Sequence, residues 1–345
     1  AGVTTNGNTL TLTTTGAGTQ SAAFTTAGLV LNGTGGAYTL TNAGNVLSSV
    51  TANTGSVTLV NSALATSVGP VTTTGALSVT ANGAASSLTV AGAVSATNTS
   101  LTSGTGGIAL NAGVTTNGNT LTLTTTGAGT QSAAFTTDSL SLLGTGGMYT
   151  LTNAGNVLAS VTANTGSVNL VNSALATSVG PVTTTGALSV TANGAASSLT
   201  VAGAVSATVT SLTSGTGGIA LNAGVTTNGN TLTLTTTGAG TQSAAFTTAG
   251  LVLNGTGGMY TLTNAGNVLA SVTANTASVN LVNSALATSV GPVTTTGALS
   301  VTANGAASSL TVAGAVSATV TSLTSGTGGI ALNAGVTTNG NTLTL

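Results

Sequence analysis

The sequence predicts an all-β chain wound as a right-handed parallel β-helix, and three observations predict it. The string AGVTTNGNTLTL that opens the chain at Ala1 returns at Ala112, Ala223 and Ala334, so the sequence repeats with a fixed period of 111. Thr makes up roughly a quarter of each copy, there are 51 glycines, and Lys, Arg, His and Glu are absent. β-Branched residues lose side-chain freedom in a helix and Gly loses backbone entropy there, which leaves strand as the default. Period-two alternation of apolar and polar residues then marks individual strands with one side facing a core.

The copies define the organisation: residues 1–111, 112–222 and 223–333 are three solenoid repeats, and 334–345 begin a fourth, all within one continuous solenoid. The sequence opens without Met and stops twelve residues into that fourth copy, so it reads as an excerpt of a longer array. Only nine of the 111 positions vary, those of Ala27, Gly28, Val30, Asn32, Ala37, Ser48, Gly55, Thr58 and Asn98. A repeat protein tolerates change where its core is untouched, so most of the nine are expected to point outward.

Within a copy, Thr9-Leu10-Thr11-Leu12-Thr13, Ser56-Val57-Thr58-Leu59 and Ala76-Leu77-Ser78-Val79-Thr80 alternate as half-buried strands of three to six residues. Between strands, Asn6-Gly7, Asn32-Gly33, Gly35-Gly36, Asn82-Gly83 and Gly106-Gly107 supply the positive φ that tight turns demand. Val3, Phe24, Val46, Val71, Val94 and Val114 each start a recurring strand, and the five intervals between them together fill one period. The expectation is five coils of about 22 residues per repeat and about 15 or 16 coils in all, spaced roughly 4.8 Å apart along the axis. Such an interior is narrow, which fits Ala, Val, Leu and Ile inside and one Phe and one Tyr per copy: Phe24 and Tyr38, Phe135 and Tyr149, Phe246 and Tyr260. The right hand follows from the general handedness of parallel crossovers.

Composition removes most function classes. Without His, Cys, Lys or a second acid there is no proton relay, thiolate, Schiff base or carboxylate pair, so the chain is expected to be no enzyme. Metal cages lack their ligands for the same reason, and neither metal nor cofactor is expected. Nucleic acid would need cations to displace phosphate counterions, and none is present. Apolar residues never run for the roughly 18 needed to span a bilayer, so no membrane helix is expected. With one carboxylate, Asp138, stability should be nearly flat with pH and indifferent to chelators.

Gly75-Ala-Leu-Ser-Val-Thr-Ala81, Leu88-Thr-Val-Ala-Gly-Ala-Val94 and Gly33-Thr-Gly-Gly-Ala-Tyr-Thr-Leu-Thr-Asn-Ala-Gly-Asn45 resemble the repeats of filamentous-haemagglutinin-type proteins, and the resemblance covers all three copies. It implies a β-helical surface protein of a Gram-negative bacterium, exported by two-partner secretion or as an autotransporter passenger. It implies no catalytic residues.

A few features invite a sharper reading. Asp138 stands where other copies have Ala27 and Ala249, as a solvated turn residue. Gly104-Thr-Gly-Gly107 resembles a phosphate cradle by glycine content alone, and no Lys follows it, so a solenoid turn is expected. Asn32-Gly-Thr34, Asn254-Gly-Thr256 and Asn98-Thr-Ser100 match the N-glycosylation acceptor pattern, which Leu143 and Val209 delete elsewhere. An ice-binding face would need one Thr-x-Thr pair per coil. Thr9 and Thr11 suit it, but the steps to Gly28 and Val30, Ser56 and Thr58, Ala76 and Ser78, then Ser100 and Thr102, break the array. The sequence therefore points to a structural, non-catalytic extracellular fibre or stalk at the bacterial surface or in a secreted matrix. Its expected partners are copies of itself, end to end and laterally. The alternative is an adhesin whose Thr, Ser and Asn faces bind glycans or surfaces directly.

Overall fold

The computed structural model describes residues 2–345 as a parallel β-solenoid of about 17 turns, with no helix among them. Two compact units, Ala1–Asn172 and Ser173–Leu345, divide the chain inside its second copy.

In the first unit, Thr9, Gly28, Ser49, Ser67, Thr89, Ala109, Thr130, Thr150 and Asn169 are successive parallel partners on one face. On a second face of the same coils, Gly18, Tyr38, Val57, Leu77, Thr99, Leu121, Leu140 and Val161 stack in the same way. The shortest step along these columns, Ser49 to Ser67, and one of the longest, Ser67 to Thr89, bracket a coil of about 20 residues. The longer coil expected from the sequence is thus wrong, and five coils per copy are too few.

The shorter coil has a consequence that the sequence period conceals. At about 20 residues per coil, one period makes about five and a half turns. Leu10 stacks on Leu29 on the first face, whereas its equivalent Leu121 stacks between Thr99 and Leu140 on the second. The second unit behaves alike. Leu188 heads the column Thr210, Leu232, Leu251 and Val272, while its equivalent Leu299 belongs to the column of Leu199, Ile219, Gly240, Tyr260 and Val279. Successive copies present the same residues on alternate faces.

Val46 marks where the expected register slips. It pairs with Thr25 and is 40% exposed, while the adjacent Asn45 is fully buried, and Val71 stacks on Ala52. An amide that satisfies its own hydrogen bonds can occupy the inward position, so the apolar residue beside it turns out. The strands also run longer than expected. Phe24–Leu40 and Val46–Asn61 stay paired around the bends of the coil, with the register shifting between Gly33 and Ala37.

The aromatic rings fill the interior as expected, each of the three tyrosines being 1% exposed. Gly129 is the ladder partner of Tyr149, and a Cβ there would strike the ring, so glycine creates the space the ring fills. Of the nine variable positions in the first copy only Gly55 is buried; the rest are exposed or half-buried. Gly55 is hemmed in by the Gly35 carbonyl, 2.6 Å from where a Cβ would sit, yet the third copy has Ala277 there. The backbone has adjusted: Gly35 and Gly146 have φ of 88° and 94°, but their equivalent Gly257 is not among the positive-φ residues. Thr276 correspondingly donates to the Ser278 carbonyl, where Thr54 donates to those of Gly33 and Gly36.

Among the described residues, one polar group per copy lies buried without a partner: the hydroxyls of Thr99, Thr210 and Thr321, each at most 1% exposed. Thr99 sits between Leu77 and Leu121 in the inward column. An unpaired buried hydroxyl costs about 1–3 kcal/mol, so Thr99→Val and Thr210→Val are each expected to stabilise by about 1 kcal/mol. Denaturant titration checks this, and an unchanged or lower midpoint in both variants would refute it.

Candidate functional surface

Strands Thr99–Thr102 and Thr120–Thr124 alternate buried and half-buried residues, so one set of side chains lines the core and the other stands outward. The outward set on the second face of the first unit forms a continuous column: Thr19, Thr39, Thr58, Ser78, Ser100, Thr122, Ser141 and Thr162. Every rung is a hydroxyl. For three rungs a second column runs beside it, giving Ser78 with Thr80, Ser100 with Thr102 and Thr122 with Thr124. Strand geometry sets the rungs roughly 4.8 Å apart and the paired hydroxyls about 6.6 Å apart along the strand. Beyond them the second column continues as Leu143 and Asn164.

The expected Thr-x-Thr register mixes two faces. Thr9, Thr11, Gly28 and Val30 do stack, but on the first face, whereas Thr58, Ser78 and Ser100 belong to the second. Sorted by face, the hydroxyl column is unbroken over eight coils on the second face, while Gly28 and Ala109 interrupt the first. The half-turn offset explains why no single sequence step reveals this.

In the second unit the paired run occurs on both faces. Ser189, Ser211 and Thr233 stack beside Thr191, Thr213 and Thr235 on one. Ser300 and Ser322 stack beside Thr302 and Thr324 on the other. No charge interrupts these columns, and no aromatic ring stands near them on the surface, since all six are buried. Each array is neutral and built of hydrogen-bonding groups.

The other sequence candidates resolve into turns and strands of the coil. Asp138 is exposed, and its backbone carbonyl accepts from the Ala159 and Ser160 N–H groups, tying it into the next coil. In Gly104–Gly107 three of the four N–H groups that would cradle a phosphate are spent: that of Gly104 donates to Ser86, that of Thr105 to Ala84 and that of Gly107 to Gly104. Asn98 is exposed and accepts from the Thr120 N–H through its side chain, and Asn32 and Asn254 lie half-buried within strands. A cavity of about 280 Å³ opens at the first coil, among Val3, Leu10, Leu12, Phe24 and Leu40. It is an uncovered cross-section of the interior: Val3 is 49% exposed, its equivalent Val114 only 1%. Among the described residues no helix is long and apolar enough to cross a membrane.

No family model, curated protein or solved structure matches this chain.

Proposed function

We propose that the chain is a structural, non-catalytic part of an extracellular fibre or stalk of a bacterial surface or matrix protein. The observation that carries this reading is coil-to-coil pairing: interior coils present ladder partners on both sides, so repeating the sequence adds length without adding a site. The faces carry almost no charge and so lack the repulsion that keeps fibres apart, which favours association with further copies. Electron microscopy of the purified chain tests the proposal. Filaments or bundles are expected, and dispersed compact monomers at high concentration would sink it.

The hydroxyl columns favour a second reading, direct adhesion to a neutral hydrogen-bonding surface. The absence of exposed aromatic rings argues against sugar stacking of the usual kind, so the partner is a regular lattice such as a crystalline glycan or ice. Sedimentation with crystalline polysaccharide and freezing-hysteresis measurements are the tests. Retention that Thr80→Lys and Thr102→Lys abolish together supports adhesion; no retention on either lattice removes it.

A further inference from the structure

The structure sorts the Asn-Gly pairs of the chain into two chemical classes. Asn6-Gly7, Asn117-Gly118, Asn228-Gly229 and Asn339-Gly340 occupy exposed turns in which Asn has φ of 47° to 50° and Gly a φ of 81° to 85°. In the second copy the Asn119 N–H donates to the Thr116 carbonyl at 3.0 Å, closing a type I′ turn around the pair. No intramolecular hydrogen bond holds the Asn117 carboxamide or the Gly118 N–H, and nothing lies within 4 Å of where a Gly118 Cβ would be. Asn82 and Asn304 differ: their carboxamides donate to the carbonyls of Ala43 and Ala265, about two coils away. Asn32 and Asn254 differ again, being half-buried inside the strands Phe24–Leu40 and Phe246–Leu262.

We propose that the four open turns are self-modifying sites, at which Asn6, Asn117, Asn228 and Asn339 convert to aspartate and isoaspartate with water as the only co-reactant. The deprotonated Gly118 nitrogen attacks Cγ of Asn117. The new C–N bond closes a five-membered succinimide, and the side-chain nitrogen leaves as ammonia, carrying the proton. Water then adds to either ring carbonyl and opens the ring, to aspartate or to isoaspartate with one extra backbone carbon. Glycine suits the step because no side chain shields its nitrogen, and the open turn leaves the carboxamide free to reach it. The turn lies between the strands Val114–Thr115 and Thr120–Thr124, so the added carbon falls outside the ladder.

Complete reaction takes the formal charge from −1 to −5. The half-turn offset places Asn6 and Asn117 at different corners of the coil in the first unit, since Thr9–Thr13 and Thr120–Thr124, which follow them, lie on different faces. On the fibre reading, new carboxylates along both edges would oppose lateral bundling as the material ages. The chemistry itself does not depend on that reading.

Incubation of the full chain at mildly alkaline pH in heavy-oxygen water, followed by thermolysin digestion and mass spectrometry, tests the assignment. Heavy oxygen is expected in the peptide carrying Thr-Thr-Asn-Gly-Asn, with far-UV circular dichroism unchanged, and little in the peptides of Asn82, Asn304, Asn32 and Asn254. The fourfold variant with Asn6, Asn117, Asn228 and Asn339 each replaced by Gln should lose the label while keeping the same spectrum. No incorporation, or equal incorporation at all Asn-Gly pairs, overturns the proposal. Electron microscopy of aged and fresh samples reports separately on bundling.

Discussion

Asn45→Ala is expected to destabilise the first unit by about 3–5 kcal/mol, far more than any exposed substitution. Asn45 is fully buried at a bend of the coil, and each of its polar atoms is used. Its Oδ1 accepts from Gln20 Nε2 at 2.8 Å and from the Phe24 N–H at 3.2 Å. The two hydrogens of its Nδ2 are shared among three acceptors, Gln20 Oε1 at 2.8 Å and the carbonyls of Leu40 and Val60 at 3.1 Å each. One side chain therefore joins residues from three coils. Alanine would take a partner from a backbone N–H, from two carbonyls and from the Gln20 amide, which keeps only the Ala22 carbonyl and the Asn42 N–H, and an unpaired buried group costs about 1–3 kcal/mol. Asn156 with Gln131, and Asn267 with Gln242, repeat the arrangement. Thr39→Ala, on the exposed column, is the control and should change stability by about 0.5 kcal/mol or less. Equal denaturation midpoints for the two variants would show that the amide cluster holds nothing together.

The same residue shows how far the sequence could be read. Repetition, composition and period-two alternation give a parallel solenoid, because these properties follow from local chemistry. Register does not follow, because it depends on which residue of each bend turns inward. Asn45 reads in sequence as part of a polar turn beside Val46, and the rule that apolar residues go inside selects the wrong member of that pair. That single slip lengthens the inferred coil beyond its actual length of about 20 residues, hides the half-turn offset between copies, and splits the hydroxyl column of Thr58, Ser78 and Ser100 into an apparently broken array. Glycine roles are legible at Asn6-Gly7, where the turn type demands positive φ. They are not at Gly129, which is set by the Tyr149 ring one coil away.

Stability is expected to be flat from acid to neutral pH and to fall between about pH 10 and pH 12, a limb that a count of carboxylates alone misses. The Tyr149 hydroxyl lies 2.8 Å from the Leu123 carbonyl and 2.7 Å from that of Leu143, and accepts from the Thr125 N–H at 3.1 Å. Burial disfavours the phenolate and pushes its pKa up to about 12, against the opposing hydrogen bond from the Thr125 N–H. Tyr260 is raised to about 12 for the same reason, so each unit contains one such group. The sign follows from linkage. Below about pH 10 both folded and unfolded chains hold the phenolic proton, and the full stability is present. As pH rises past 10 the unfolded chain ionises first and is favoured, until the folded pKa near 12 is passed and the loss levels off at about 3 kcal/mol per tyrosine. Denaturant midpoints measured alongside tyrosinate absorbance from about pH 5 to about pH 12.5, a range that spans the reference phenol value of about 10, check both halves of the argument. The expected pattern is a level midpoint up to about pH 10, a decline above it, and absorbance from Tyr149 and Tyr260 that appears only as the chain unfolds or near pH 12. A midpoint that stays level to pH 12, or ionisation of Tyr149 and Tyr260 near pH 10 in the folded chain, would show that burial does not protect these hydroxyls.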